Sequence, residues 1–294
     1  MYLNEKNVFD FERNKVEVLD FPTLKKTYKE NDIYGNPLRG IYHYQVIEQV
    51  AELAQQNNLD FEIEEIFATQ NASRQSPSVV ILPQVEEQYG KNAIEAHILR
   101  RVYTTLKINN LQNGETCGNV VIANHQDGLQ VAVGQRVIMC KNQCILNANH
   151  IFQNYGNSKI SENQIFENVN NWFLNFADYR ENDLRILEQM KQIILNQHNI
   201  FELIGLLTAI RVAHDNVKNW TLTREIYPLN QAQISQFTQD ILTQSIEQER
   251  DSFSLWEIYN IATNLHKPDR MEIQNIIPQN FELMQVLSEK YLNF

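Results

Sequence analysis

Glycine is scarce in this chain, at nine of 294 residues. Neither G-x-x-x-x-G-K-S/T nor G-x-G-x-x-G occurs, and such loops hold the phosphates in P-loop and dinucleotide-binding proteins. The zinc-protease pattern H-E-x-x-H is absent as well. The sequence therefore assigns no catalytic residue, and we expect no cofactor.

Cysteine is rarer still, with only Cys117, Cys140 and Cys144. Three cysteines without paired spacing fit a reducing cytoplasm, where we expect this protein to be located. His125 and His150 lie nearby, but a structural zinc site normally shows two ligand pairs at short spacing. On one strand Cys140 and Cys144 would lie about 13 Å apart, at ~3.3 Å per residue. We therefore predict no metal site and no cysteine nucleophile.

Long apolar runs are missing too, since none reaches the roughly 18 residues that suggest a transmembrane helix. The N-terminal stretch MYLNEKNVFDFERNK lacks the basic and apolar regions of a secretion signal. The net charge is −11, which argues against a basic protein that coats nucleic acid. We expect no membrane partner.

The chain does contain a change of hydrophobic period at about residue 156. Before it, helical spacing predicts a helix over 40–58, and β-prone runs predict strands over 59–69, 78–85, 98–108, 118–126 and 129–145. After it, capping patterns and 3.6-residue spacing predict helices starting near Ser161, Asp183, Asn199, Asn230, Ser254 and Pro278. Short turns between the strands require antiparallel pairing.

The predicted fold class is α+β, with an N-terminal helix and an antiparallel β-sheet followed by an α-helical C-terminal half. Residues 1–39 form an N-terminal arm and 40–157 the helix plus sheet. Residues 158–294 form a helical region, which is either a separate domain or continuous with the sheet.

The best-defined element is a hairpin whose turn is Asp127-Gly128, a pair that favours tight β-turns. Beyond the turn, side chains alternate between two faces, and Arg136 shares one of them with Gln130 and Ala132. Gly134 predicts a bulge or a close backbone approach. This strand is either an ordinary amphipathic strand or one that presents Arg136 to a ligand.

Two segments carry a family resemblance: DGLQVAVGQRVIMCKNQCI at 127–145 and SLWEIYNIATNLHK at 254–267. They resemble the phage/plasmid-like family of unknown function (domain of unknown function three-eight-seven-one type), in particular its branch on mobile elements of Bacteroidetes. The matching positions are Arg136, Val137, Cys140, Asn142, Leu255, Trp256, Tyr259 and Asn260. The resemblance spans about residues 40–294, with a departure at Ile138-Met139. It implies an accessory role on a phage, plasmid or integrative element and no particular activity.

Charge is distributed unevenly, because residues 96–161 carry six cations and two acids, a net +4, which leaves −15 for the rest. A cationic sheet in an acidic protein suggests a groove for a polyanion. We therefore expect single-stranded DNA binding in replication, annealing or transfer, with Tyr103 stacking on a base. The predicted contacts are Arg100, Arg101, Tyr103, Lys107, Arg136 and Lys141. The simpler alternative is that strands contain few acids, because Asp and Glu are poor strand formers.

Two other functions remain open. The acidic remainder suits a module that binds a basic host or element-encoded protein, such as an inhibitor of a host defence factor. An unrecognised enzyme would use the Cys140–His150 region or Glu62 and Glu64, because paired carboxylates can bind a divalent cation or transfer protons. A solvated strand face is the simpler explanation for those carboxylates and for Glu65.

Trp256, Asn260 and His266 near the end of the chain could line a site. Core packing, with His266 as a cation at a helix C-terminus, explains them more simply.

Overall fold

The computed structural model describes residues 16–26, 43–69, 101–125, 128–138, 142–146, 151–155, 162–216, 222–268 and 270–292. The predicted strand at 78–85 lies outside these residues, as do Arg100, Asp127, Cys140, Lys141 and His150. The predicted α+β class is confirmed.

The first half of the described chain is mainly strand. Its elements are β1 (Val16–Leu19), α1 (Phe21–Lys26), α2 (His43–Gln56), β2 (Phe61–Ile63), β3 (Ile66–Thr69), β4 (Arg101–Asn113), β5 (Thr116–His125), β6 (Gly128–Val137), β7 (Gln143–Cys144) and β8 (Ile151–Tyr155). The second half is mainly helix: α3 (Glu162–Leu174), α4 (Phe176–Gln192), β9 (Ile194–Asn196), α5 (Gln197–Asn216), α6 (Gln231–Glu247), β10 (Ser252–Ser254), α7 (Leu255–Thr263) and α8 (Ile273–Leu287), followed by a π-helical turn over Ser288–Leu292.

One antiparallel sheet runs in the order β1-β3-β4-β5-β6-β7, with β2 also pairing with β4 and β8 with β6. The predicted hairpin is confirmed, since β5 and β6 pair from His125 and Gly128 inward. β1 belongs to the predicted N-terminal arm and forms the edge strand beside β3. A separate two-stranded sheet joins β9 to β10.

Helices cover both faces of the sheet. Val46 and Val50 of α2 and Trp172 of α3 pack on one face, in a core shared with Val120 and Val131. On the opposite face α8 packs against Tyr103, Val121 and Ala132 through Ile273 and Ile277. Residues after 158 thus contribute to both cores, which favours one continuous domain over two separate ones.

The predicted strand over 129–145 is wrong beyond Val137. The Val137 N–H donates to the Asn142 carbonyl over 3.0 Å, and β7 then runs back antiparallel to β6. The predicted close approach at Gly134 is confirmed, because a Cβ there would overlap with the Cys144 carbonyl oxygen. Cys144 therefore does not continue the strand that bears Arg136, and the spacing argument against a zinc pair does not apply.

Several predicted boundaries of strands and helices also differ from those in the structure. The strand at 59–69 is interrupted at Glu64 and Glu65, and the turn expected at 109–114 begins only at Gly114, whose φ is +58°. The helix starts predicted at Asp183, Asn199 and Pro278 are wrong, since each residue lies inside a helix. The capping boxes at Asn230 and Ser254 are confirmed, because those signals depend only on local hydrogen bonds.

Candidate functional site

A cavity of about 220 Å³ lies between the sheet and the segment that follows α7. We call it the junction cavity. The sheet contributes Glu64, Glu65, Phe67, Tyr103, Thr105, Arg136 and Gln143, and the helical half contributes Thr263, His266, Lys267 and Pro268. Concave sites with a few convergent polar groups are the usual location of small-ligand binding.

A buried ion pair forms one wall of the junction cavity. Arg136 Nη1 lies 2.6 Å from Glu64 Oε1, and the two side chains are 5% and 15% exposed. The other Glu64 oxygen accepts from the Thr105 hydroxyl at 2.6 Å. Arg136 therefore reaches a ligand only inside the cavity, and the prediction that it lies on an open cationic surface is wrong.

Gln143 contributes an unused donor. Its amide oxygen accepts from the Asn119 side chain, while its Nε2 has no hydrogen-bond partner although the residue is only 6% exposed. A buried polar group without a partner is costly, typically about 1–3 kcal/mol. Asn119 therefore holds the Gln143 amide by its oxygen, and the amide nitrogen is left without a partner.

His266 contributes an unused acceptor. Its Nε2 lies 2.9 Å from the Pro228 carbonyl, so this nitrogen carries the proton and donates. Burial lowers the pKa of His266 to about 4, and the ring is neutral near pH 7. The remaining nitrogen, Nδ1, has no partner in a residue that is 2% exposed. The expectation that His266 acts as a cation is wrong, because burial disfavours the charged form.

Aromatic and charged side chains complete the junction cavity. Tyr103 is buried, its ring centroid is 6.4 Å from that of Phe67, and burial raises the pKa of its hydroxyl well above the ordinary range. Glu65 is exposed and Lys267 is half-buried, so this side of the cavity faces solvent. Tyr103 is not available for stacking on an open surface, and that part of the prediction is wrong.

The other predicted nucleic-acid contacts are more peripheral. Arg101 and Lys107 are half-buried and lie on the same β4 face as Tyr103, because side chains two apart share a face. Arg101 Nη1 is 3.8 Å from Glu272 at the start of α8, and Lys107 is paired in register with Glu62 of β2. Arg100 and Lys141 lie outside the described residues.

The two segments that carry the family resemblance meet beside the cavity. Asn142 Nδ2 donates to the Asn260 carbonyl at 2.7 Å. Tyr259 donates to Asn280 at 2.9 Å, and Asn280 donates to the Gln143 carbonyl at 2.8 Å. These residues fix β7 against α7 and α8, and Trp256 packs in the helical core as the simpler explanation predicted. Their role at the cavity is to position Gln143.

No metal site is formed by the described residues, since they contain no group of three or more His, Cys, Asp or Glu that could hold an ion. Cys117 and Cys144 are buried and form no disulfide bond, and burial raises the pKa of Cys117. A raised pKa disfavours the nucleophilic thiolate. Glu62 and Glu65 are exposed, which fits a solvated strand face, whereas Glu64 pairs with Arg136.

Sequence reasoning singled out Tyr103 and Arg136 as nucleic-acid contacts. It singled out Glu64 and His266 on separate grounds, and the structure brings all four to one cavity. It missed Gln143, because a glutamine in a short irregular stretch has no periodic signal. The only sequence signal for Gln143 was its position between Asn142 and Cys144 in the segment that carries the family resemblance.

Comparison of the chain with protein-family models, with curated proteins and with solved structures found no match. The resemblance to the phage/plasmid-like family therefore stays a prediction based on the quoted residues. Among the described helices, none has the length and apolar character needed to cross a bilayer.

Proposed function

We propose that this protein binds a small, uncharged polar ligand in the junction cavity. The observation that carries the proposal is that two residues lining the cavity each hold a buried, unpartnered polar atom, the donor Gln143 Nε2 and the acceptor His266 Nδ1. Buried polar groups in folded proteins nearly always have partners. A ligand that offers one acceptor and one donor satisfies both at once.

The charges around the cavity favour an uncharged ligand. Its walls carry two acids, Glu64 and Glu65, and two cations, Arg136 and Lys267, while His266 is neutral. Arg136 is already neutralised by Glu64. An anionic ligand would have to compete with that carboxylate, so binding should depend on neutral hydrogen bonds.

The size of the cavity sets a second limit. At about 220 Å³ it is smaller than the roughly 300–1,000 Å³ typical of sites for drug-sized molecules. It suits a single-ring or double-ring amide or heterocycle.

Matched pairs of small molecules test this function. We expect nicotinamide, benzamide or 2-pyridone to raise the melting temperature and to give saturation-transfer NMR signals, and we expect nicotinate, benzoate and inorganic phosphate to have no effect. Binding should be lost in Gln143→Met and His266→Gln, where glutamine keeps a donor for Pro228 without offering the Nδ1 acceptor.

The matched control is Gln279→Met. Gln279 is a buried glutamine on α8 that also has an unpartnered amide oxygen but does not line the junction cavity. Binding should survive in this variant. The proposal fails if no uncharged compound binds or if the two cavity variants bind as well as the parent protein.

The expected role as a single-stranded-DNA-binding accessory protein of a mobile element is a second proposal. One arrangement favours it: Arg101, Tyr103, Thr105 and Lys107 follow one another along a single face of β4, with the cavity between the two cations. Binding of an oligonucleotide at about 50 mM salt, lost at about 200 mM, would support contacts with the phosphate backbone.

A further inference from the structure

We infer that the ligand of the junction cavity is a nucleobase, presented either by a free nucleoside or by a single-stranded nucleic acid. The inference rests on the proposed function and specifies its ligand class. Its three grounds are the hydrogen-bonding pattern of the cavity, its aromatic wall and the cations beside its mouth.

The hydrogen-bonding pattern matches the edge of a base. Gln143 has an unpartnered N–H group and His266 an unpartnered ring nitrogen, and both residues line one cavity. The Watson–Crick edge of each base presents neighbouring donor and acceptor groups, and enzymes that take an unstacked base into a pocket recognise that edge. Glu64 and Thr105 are satisfied by Arg136 and by each other, so recognition depends on Gln143 and His266.

The aromatic wall matches the faces of a base. Phe67 and Tyr103 lie side by side on neighbouring strands, paired in register, and Pro268 closes the cavity from the helical side. Aromatic and apolar side chains that enclose a flat heterocycle are the common feature of unstacked-base pockets. A flexible aliphatic amide would make less contact with these side chains than a flat ring does.

Two lysines lie at or next to the cavity, where they would be the cations nearest to a sugar-phosphate attached to a bound base. Lys267 lines it beside solvent, and Lys107 lies two residues beyond Thr105 on the same strand face. Each has carboxylates in its neighbourhood, Glu65 across the cavity and Glu62 opposite Lys107 in register. Affinity for a nucleoside should therefore come from the base and should depend only weakly on salt, and any salt-dependent gain in affinity should appear only with an oligonucleotide.

The first test uses nucleosides as probes. We expect at least one of adenosine, guanosine, cytidine and thymidine to bind in calorimetry with an affinity that changes less than about twofold between about 50 and about 200 mM salt. Gln143→Met and His266→Gln should each weaken it about tenfold or more, whereas Gln279→Met should bind as the parent does. Thermal melting of every variant verifies that it is folded.

The second test identifies the source of the base. If a single-stranded oligonucleotide binds more tightly than its nucleoside, and Lys107→Ala and Lys267→Ala weaken only the oligonucleotide, the ligand is a base within a strand. Lys25→Ala, on α1 at the opposite face of the sheet, is the control and should change neither affinity. Equal affinity for both probes indicates a free nucleoside.

Two outcomes would overturn the inference. If nicotinamide binds through Gln143 but no nucleoside or oligonucleotide does, the ligand class is wrong while the proposed function stands. If nucleosides bind equally well to the parent and to both cavity variants, the site is elsewhere. Failure of every uncharged probe would remove the proposed function as well.

Discussion

The Arg136 guanidinium is almost completely shielded from water, and Glu64 is its charged partner within the cavity. Removing one member of a buried pair leaves an uncompensated charge, at a cost of roughly 3–5 kcal/mol. A substitution at either residue would therefore confuse loss of folding with loss of binding. Gln143 and His266 are better probes of the site, because each uses one of its polar atoms in the fold and has no partner for the other.

Asp183 is a second buried charge-bearing residue, and its stability effect depends on pH. It lies inside α4 with no exposed surface, and Gln135 Nε2 of β6 is 3.5 Å from its Oδ2. Burial raises its pKa from 3.8 to about 7. Between these pH values the folded state keeps a proton that the unfolded state has lost, so stability falls as pH rises.

We expect Asp183→Asn to remove this loss of stability with rising pH. The difference in free energy of unfolding between the variant and the parent should grow from pH 4 to pH 7 and then level off, reaching up to about 4 kcal/mol at about 1.4 kcal/mol per pKa unit. His266, whose pKa is lowered to about 4, acts in the opposite direction, since its stability contribution is lost as pH falls from about 6.5. It is present in both proteins and cancels in the difference.

Urea unfolding at each pH measures the Asp183 effect. Glu181→Gln, which removes an exposed acid from the same helix, is the control for the loss of a surface carboxyl from α4. A pH-independent difference for Asp183→Asn would show that its carboxyl titrates normally in the folded protein.

Two glycines test how elements pack. At Gly134 a Cβ would overlap with the Cys144 backbone carbonyl, whereas at Gly205 of α5 nothing lies within 4 Å. We expect Gly134→Ala to destabilise the protein by about 1–3 kcal/mol, because the backbone of β7 has to move. Gly205→Ala should stabilise it by about 0.5–1 kcal/mol, because alanine favours the helix.

Chemical denaturation measures both changes, and hydrogen exchange at Val137, whose N–H bonds to Asn142, reports on β7. Faster exchange is expected only in Gly134→Ala. If that variant matches the parent in stability, the close approach of β6 and β7 is wrong.

Elements specified by local signals were the ones that sequence predicted well. The Asp127-Gly128 hairpin and the capping boxes at Asn230 and Ser254 depend on residues within a few positions of each other. The end of β6 at Val137 and the interior position of Asp183 depend instead on distant partners. In the sequence, a buried aspartate inside a helix cannot be told from an aspartate that caps a helix, because only tertiary packing distinguishes the two.

At the scale of the whole molecule, the candidate site was predicted as separate residues and not as a site. Glu64 and Arg136 are 72 residues apart, and His266 comes from the helical half. No spacing rule joins positions that meet only when the sheet and the helices pack together. Charge counting led to an open cationic surface because it could not foresee that α8 packs against part of that face of the sheet.

The sheet and the helical half should unfold together, because one network joins them. Tyr259 of α7 bonds to Asn280 of α8, and Asn280 bonds to the Gln143 backbone of β7, while Asp183 joins α4 to β6. Trp172 lies in the core that α2 and α3 share with the sheet, and Trp256 lies in the helical core. Each can report on its own region.

We therefore predict coincident transitions in two variants that keep either Trp172 or Trp256, with phenylalanine at the other tryptophan positions. In each variant tryptophan fluorescence and far-UV circular dichroism, which follows the whole chain, should give the same urea midpoint, as expected for a two-state domain. Comparing two probes within one variant removes any stability change caused by the substitutions. A Trp256 transition at lower urea than the circular dichroism transition would mean that the helical half opens first, and that the junction cavity exists only while the two halves remain packed.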